Sequence, residues 1–110
     1  VDDHYALETT DDDPDARRIV LSGEIDLGAQ DELLAAFARE LAGPTKQVIV
    51  DLTAVTFLDS TGINALLTGH RDAQAAGKGF VVVPGSQQVM HALTVTGVDQ
   101  VLDLTGQACA

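Results

Sequence analysis

Cysteine is almost missing: Cys109, near the end, is the one copy in 110 residues. A lone thiol closes no internal disulfide and has no companion for a metal site, so neither a disulfide scaffold nor a metal centre built on cysteine is expected. Tryptophan is absent, and the other aromatics are three Phe and one Tyr. That is too few for the stacking platforms that hold single-stranded nucleic acid. Positive charge is scarce as well: six Lys and Arg stand against 17 Asp and Glu, a formal net charge of −11. Such a chain repels phosphate backbones and anionic lipid surfaces, which argues against nucleic-acid and membrane partners. The charge suits solubility, or attraction to a basic partner. No apolar run approaches the roughly 18 residues of a membrane span. No basic segment followed by an apolar one marks a signal peptide. A reducing, cytoplasmic setting is the expectation. The chain begins at Val1, which leaves room for a trimmed upstream piece.

What is present reads as one domain spanning residues 1–110, 45% apolar. It is long enough to bury roughly two-thirds of the surface of its unfolded chain. Tyr5 and Leu7 alternate with polar residues in a short half-buried strand, and Thr10 to Asp15 is an acidic turn around Pro14. Consecutive aspartates lack the spaced oxygens of a calcium loop, so this tip is read as solvated. Arg17 to Asp26 is a second strand with Ile19 and Leu21 on one face, giving an antiparallel hairpin. Gly23, late in that strand, marks a bulge or a close backbone approach. Asp26 stands where a helix can begin. Ala29 to Leu41 is helical, with Leu33, Leu34, Phe37, Ala38 and Leu41 as its buried stripe and Glu40 on the outer face. Gly43 and Pro44 end it.

Gln47 to Leu52 is the strongest strand. Its run Val48-Ile49-Val50 is expected to be covered on more than one side, and Thr53 to Leu58 leads out of it with Val55 and Phe57 pointing inward. Ser60 or Thr61 is expected to cap a helix running to about Ala76, with Ile63, Leu66, Leu67, His70 and Ala73 buried. Gly77 stops it, Gly79 to Val83 is a further strand, and Ser86 caps a third helix that carries Val89, Met90 and Leu93 and stops at Gly97. Val98 to Leu104 is a short last strand or tail. The order β-β-α-β-α-β-α-(β) predicts an α/β fold: a mixed sheet of four or five strands with the helices packed mainly on one face.

The stretch Asp59-Ser60-Thr61-Gly62 carries the chemistry. A helix N-terminus presents free backbone N–H groups and a partial positive charge, which stabilise an anion placed there. A phosphate on Ser60 adds about −1.5 to −2 charges and leaves the helix intact. Asp59 is expected to orient the Ser60 hydroxyl, or less readily to help hold a kinase's metal ion. Gly62 is expected to let a partner's backbone or nucleotide approach closely. As chemistry alone, Ser-Thr-Gly at a helix start is more often just a cap.

Residues 48–63, Val-Ile-Val-Asp-Leu-Thr-Ala-Val-Thr-Phe-Leu-Asp-Ser-Thr-Gly-Ile, resemble the signature of the STAS domain, in particular of bacterial anti-sigma factor antagonists. Gly23-Glu24-Ile25-Asp26 resembles that family's Gly-Glu-Leu-Asp motif, and the turn at Gly77 and Gly79 fits as well. Two motifs in register are more specific than either alone. The resemblance implies a protein without catalysis or cofactor of its own. It implies binding to an anti-sigma factor that is also a serine kinase, which frees a sigma factor for transcription. It implies phosphorylation of Ser60 by that kinase, loss of binding, and restoration by a PP2C-type phosphatase. Gly23, Glu24, Asp26, Asp59, Ser60, Thr61 and Gly62 become the partner-binding set, with Ser60 preferred to Thr61 as phosphoacceptor.

Other readings stay in view. A hydrolase with Ser60 as nucleophile lacks the Gly-x-Ser-x-Gly elbow. His70, ten residues along the same helix, lies about 15 Å away at helical rise, and His70 and His91 read as packed or surface histidines. Nucleotide binding by the Ser60 loop lacks a Gly-rich lysine loop. STAS domains also serve as interaction modules in stressosomes, lipid-transport complexes and anion transporters; the length of this chain suits a free-standing antagonist better.

Overall fold

The computed structural model describes residues 5–13, 15–97 and 103–104, with the side chains of 11–13 and 103–104 left aside. The elements run β1 (Tyr5–Asp13), β2 (Ala16–Ile25), α1 (Leu27–Ala42), β3 (Gln47–Leu58), α2 (Ser60–Ala76), β4 (Gly79–Val83), α3 (Gln87–Val95) and β5 (Asp103–Leu104). The five strands lie in the order β1-β2-β3-β4-β5. Only β1 and β2 are antiparallel; the remaining neighbours are parallel. This is the mixed sheet expected from the element order. Residues 98–102, read above as part of a short last strand or tail, lie outside the described residues.

Three parallel crossovers each step to the next strand in one direction. Right-handed crossovers of that kind place their helices on a single face of the sheet. Burial follows the same parity. Ile19, Leu21, Val48, Val50, Leu52 and Val82 are closed off beneath the helices, with Leu33, Phe37 and Leu66 above them. Arg18, Val20, Ile49, Asp51, Val81 and Val83 alternate onto the other face and are half-buried. The continuous run at Val48-Ile49-Val50 is therefore covered on one side, contrary to the reading of its composition. On the open face Arg18 Nη1 donates to Asp51 Oδ2 at 2.9 Å. Burial pushes the Asp51 carboxyl up, but hydrogen bonds from the Thr53 hydroxyl and N–H, together with Arg18, outweigh it and hold the pKa below the usual range.

The helix side is packed through small residues. Phe37 of α1 meets Phe80 of β4 edge-on, with centroids 5.4 Å apart. Gly69 of α2 sits against both rings, where a Cβ would come within 2.8 Å of each. In α1 the buried set is Ala29, Leu33, Ala36, Phe37, Glu40 and Leu41. Ala38, expected in the stripe, is exposed, and Ala36 takes the inner place. Glu40, expected outside, is buried because Arg17 Nε on β2 reaches its carboxylate at 2.9 Å. The end of α1 is held by Lys78, whose Nζ donates to the carbonyls of Leu41 and Gly43 at 2.5 and 2.6 Å. A cation at a helix C-terminus also opposes the negative end of the dipole.

Two sequence boundaries shift. β3 does not stop at Leu52: Ser22, Gly23, Glu24 and Ile25 pair with Ala54, Val55, Phe57 and Leu58, so the whole lead-out is strand. The acidic turn is narrower than read, since β1 reaches Asp13 and β2 begins at Ala16.

Candidate functional site

Strands β2 and β3 end side by side, and each is followed at once by an Asp and a helix. The pairing runs past a register slip between Gly23 and Glu24, where Gly23 has φ 82°. The extra residue of the slip is Thr56 on β3 rather than one in β2; Gly23 lies opposite it with a left-handed backbone that is cheap only for glycine. Beyond it Glu24 stands opposite Phe57, and Ile25 opposite Leu58. The Asp59 N–H then donates to the Ile25 carbonyl at 3.2 Å, which locks the two strand ends together.

The two corners are built alike. Asp26 is the N-cap of α1, and its Oδ1 accepts from the Gly28 N–H at 3.0 Å. Asp59 is the N-cap of α2, and its Oδ1 accepts from the Gly62 N–H at 3.0 Å. The cap expected of Ser60 or Thr61 therefore belongs to Asp59. Its extended backbone (φ −95°, ψ −176°) is the geometry from which a short side chain reaches forward to the third helical N–H. Because that oxygen of Asp59 serves Gly62, its local role is the cap rather than orienting the Ser60 hydroxyl. Ser60 becomes the first residue of the helix and is exposed. Among the described residues its hydroxyl has no hydrogen bond within the chain. Thr61 is half-buried.

Gly62 plays a different part from the one expected. It is buried, and a Cβ there would lie 2.6 Å from Leu58 Cδ1 and 3.0 Å from Ile25 Cγ2. Its missing side chain admits the protein's own strand ends under the first turn of α2. It does not open the surface to a partner.

Of the residues named from sequence, Gly23, Glu24, Asp26, Asp59, Ser60, Thr61 and Gly62 all come to this pair of corners. The sequence missed two exposed apolar residues. Leu27 is 70% exposed at the first position of α1, the counterpart of Ser60 in α2, and Phe57 is 51% exposed rather than inward-facing. Phe57 and Leu58 are adjacent in a strand, so only one can face the core. Leu58 does, because the extra residue Thr56 in β3 breaks the alternation that would otherwise put Phe57 on the same face as the buried Val55, and nothing in the run Val55 to Leu58 signals that slip.

Beside the corner lies an open groove of about 230 Å³ lined by Thr56, Phe57, Leu58, Gln88, His91 and Ala92. It exists because β4 stops at Val83, opposite Asp51, while β3 continues; α3 packs along the uncovered length instead. His91 is exposed on that groove. His70 is half-buried, with its ring 6.4 Å from Phe80 and its Nδ1 buried without a partner. Among the described residues no group of three or more His, Cys, Asp or Glu is placed to hold a metal. None of their helices is long and apolar enough to cross a membrane.

A one-sided mixed sheet whose parallel strands run into Asp-capped helices defines a single α/β domain. The family model "Mlab, STAS domain" matches residues 8–105, and the chain belongs to the STAS domain family. Among solved structures, an anti-sigma factor antagonist from Mycobacterium paratuberculosis is 22% identical with a TM-score of 0.79, over 94% of this chain and 87% of that one. The phosphorylated form of the Bacillus cell fate determinant SpoIIAA is 18% identical with a TM-score of 0.72, over 93% of each chain. A sulfate transporter family protein from Wolinella succinogenes is 22% identical with a TM-score of 0.70, over 83% of this chain and 82% of that one. At these identities the likeness is one of fold.

Proposed function

We propose that this STAS domain is an anti-sigma factor antagonist. It binds an anti-sigma factor that is also a serine kinase, releases a sigma factor, and is switched off by phosphorylation at Ser60. The observation that carries the reading is the exposed Ser60 hydroxyl, free of intramolecular hydrogen bonds among the described residues, on a helix whose cap is supplied by Asp59. The serine is accessible to another protein's active site, and its modification removes nothing that holds α2 in place. The protein contributes no catalytic group; ATP and magnesium belong to the kinase, and a PP2C-type phosphatase reverses the modification. A phosphate on Ser60 adds about −1.5 to −2 charges and must be desolvated at the contact. Acidic Glu24 and Asp26, at the neighbouring corner, add like charge beside it. Like charge and lost desolvation energy then break the complex without a change of fold. The likeness to antagonists from Mycobacterium and Bacillus supports this reading.

The test uses a panel of anti-sigma kinases with ATP, and wild type, Ser60→Ala and Ser60→Asp. Phosphate is expected on the wild type only, with binding kept by Ser60→Ala and lost by Ser60→Asp. A second reading, an interaction module in a transport-associated complex, is favoured by the likeness to the Wolinella sulfate transporter family protein. Equal binding by all three forms would sink the switch and favour that module.

A further inference from the structure

We propose that the groove between the end of β3 and α3 receives an apolar side chain from a basic surface of the same partner, with Phe57 as the anchor. This deepens the reading above and rests on it.

Phe57 is 51% exposed at the end of a strand whose neighbours Val55 and Leu58 are buried. Leu58 and Ala92 add apolar surface to the groove, while Thr56, Gln88 and His91 give it polar edges. An aromatic anchor ringed by polar groups is the usual anatomy of an interface hot spot. At about 230 Å³ the groove is smaller than the roughly 300–1,000 Å³ of small-molecule sites, and the size suits one large side chain. The chain also runs directly from the groove to the switch, through Leu58 and Asp59 to Ser60. A partner seated over Ser60 therefore covers the groove as well.

Charge decides the chemistry of that partner. Phe57 stands opposite Glu24 across the β2–β3 pair, and Asp59 follows two residues on. The whole chain carries −11. Lys or Arg around the inserted side chain would complement these acids, which lie beside Phe57 rather than in the groove lining.

The experiment is calorimetric titration of an anti-sigma kinase from the panel above with unphosphorylated wild type, Phe57→Ala, Gln88→Arg, Gln88→Glu and Ser60→Asp, at low and high salt. Phe57→Ala is expected to weaken binding by about tenfold or more. Gln88→Arg is expected to weaken it several-fold and Gln88→Glu to tighten it, with affinity falling as salt rises. Gln88 is exposed on α3, so that pair reads the groove even where Phe57→Ala unfolds. Wild-type affinity in Phe57→Ala and both Gln88 variants, with binding still lost in Ser60→Asp, overturns the groove and leaves the switch standing. Failure of the wild type to bind, or binding by Ser60→Asp equal to wild type, overturns the antagonist reading and the groove with it.

Discussion

Asp59 and Ser60 are neighbours with separable duties. Asp59 holds the first turn of α2 through the Gly62 N–H, and Ser60 points outward from it. Removing an N-cap carboxylate costs about 1 kcal/mol, whereas an exposed hydroxyl outside the cap costs within about 0.5 kcal/mol. In urea unfolding, Asp59→Ala is therefore expected to lose about 1 kcal/mol, Asp59→Asn much less, and Ser60→Ala almost nothing. A large loss in Ser60→Ala would return the cap to Ser60. Gly62 makes a complementary case. Alanine there gains helix propensity of up to about 1 kcal/mol, but its Cβ would press on Leu58 and Ile25. Overpacking costs about 1–3 kcal/mol, so Gly62→Ala is expected to lower the urea midpoint.

At the scale of elements, the sheet is clamped differently on its two faces. The helix side relies on apolar packing around Phe37, Phe80 and Gly69. The open side relies on the cross-strand pair Arg18–Asp51. The Asp51 carboxyl is held below its ordinary value when folded, so between that lowered pKa and about 4 the unfolded chain binds more protons. Its contribution is complete above the ordinary carboxylate range and is lost as pH falls through the lowered pKa. Asp51→Asn is thus expected to destabilise by about 1 kcal/mol at pH 7. The gap from wild type should close on acidification, followed by urea melts at decreasing pH. A gap independent of pH would assign the loss to shape rather than charge. The length mismatch between β3 and β4 has its own consequence: it leaves a bare strand edge that α3 covers only in part, and the groove is what remains.

For the whole molecule, 17 acids against 6 bases make self-repulsion a standing cost. Screening weakens it over a Debye length of about 10 Å at 0.1 M salt. The melting temperature is expected to rise by a few degrees between about 20 and 300 mM sodium chloride, as measured by calorimetry. A fall would mean that the specific pairs at Arg17 and Arg18 outweigh the net charge.

The sequence by itself determined what depends on neighbours along the chain. Helix and strand order, the stops at Gly77 (φ 72°) and Gly97 (φ 79°), and the left-handed backbone at Gly23 (φ 82°) all follow from local backbone preference and periodicity. The two motifs were legible as two motifs, and the parallel pairing of β2 with β3 makes them one site. Only the tertiary structure decided which side of a residue is covered. Glu40 is inside because Arg17 arrives from another strand, Ala36 replaces Ala38 because of how α1 rotates onto the sheet, and Ile49 is half-bare because all the helices take one face. The same holds for Gly62, closed by Leu58 and Ile25, and for Phe57, left out once Leu58 turned in. Burial is a property of surfaces brought together from distant parts of the chain, and periodicity within one segment carries no record of what it will meet.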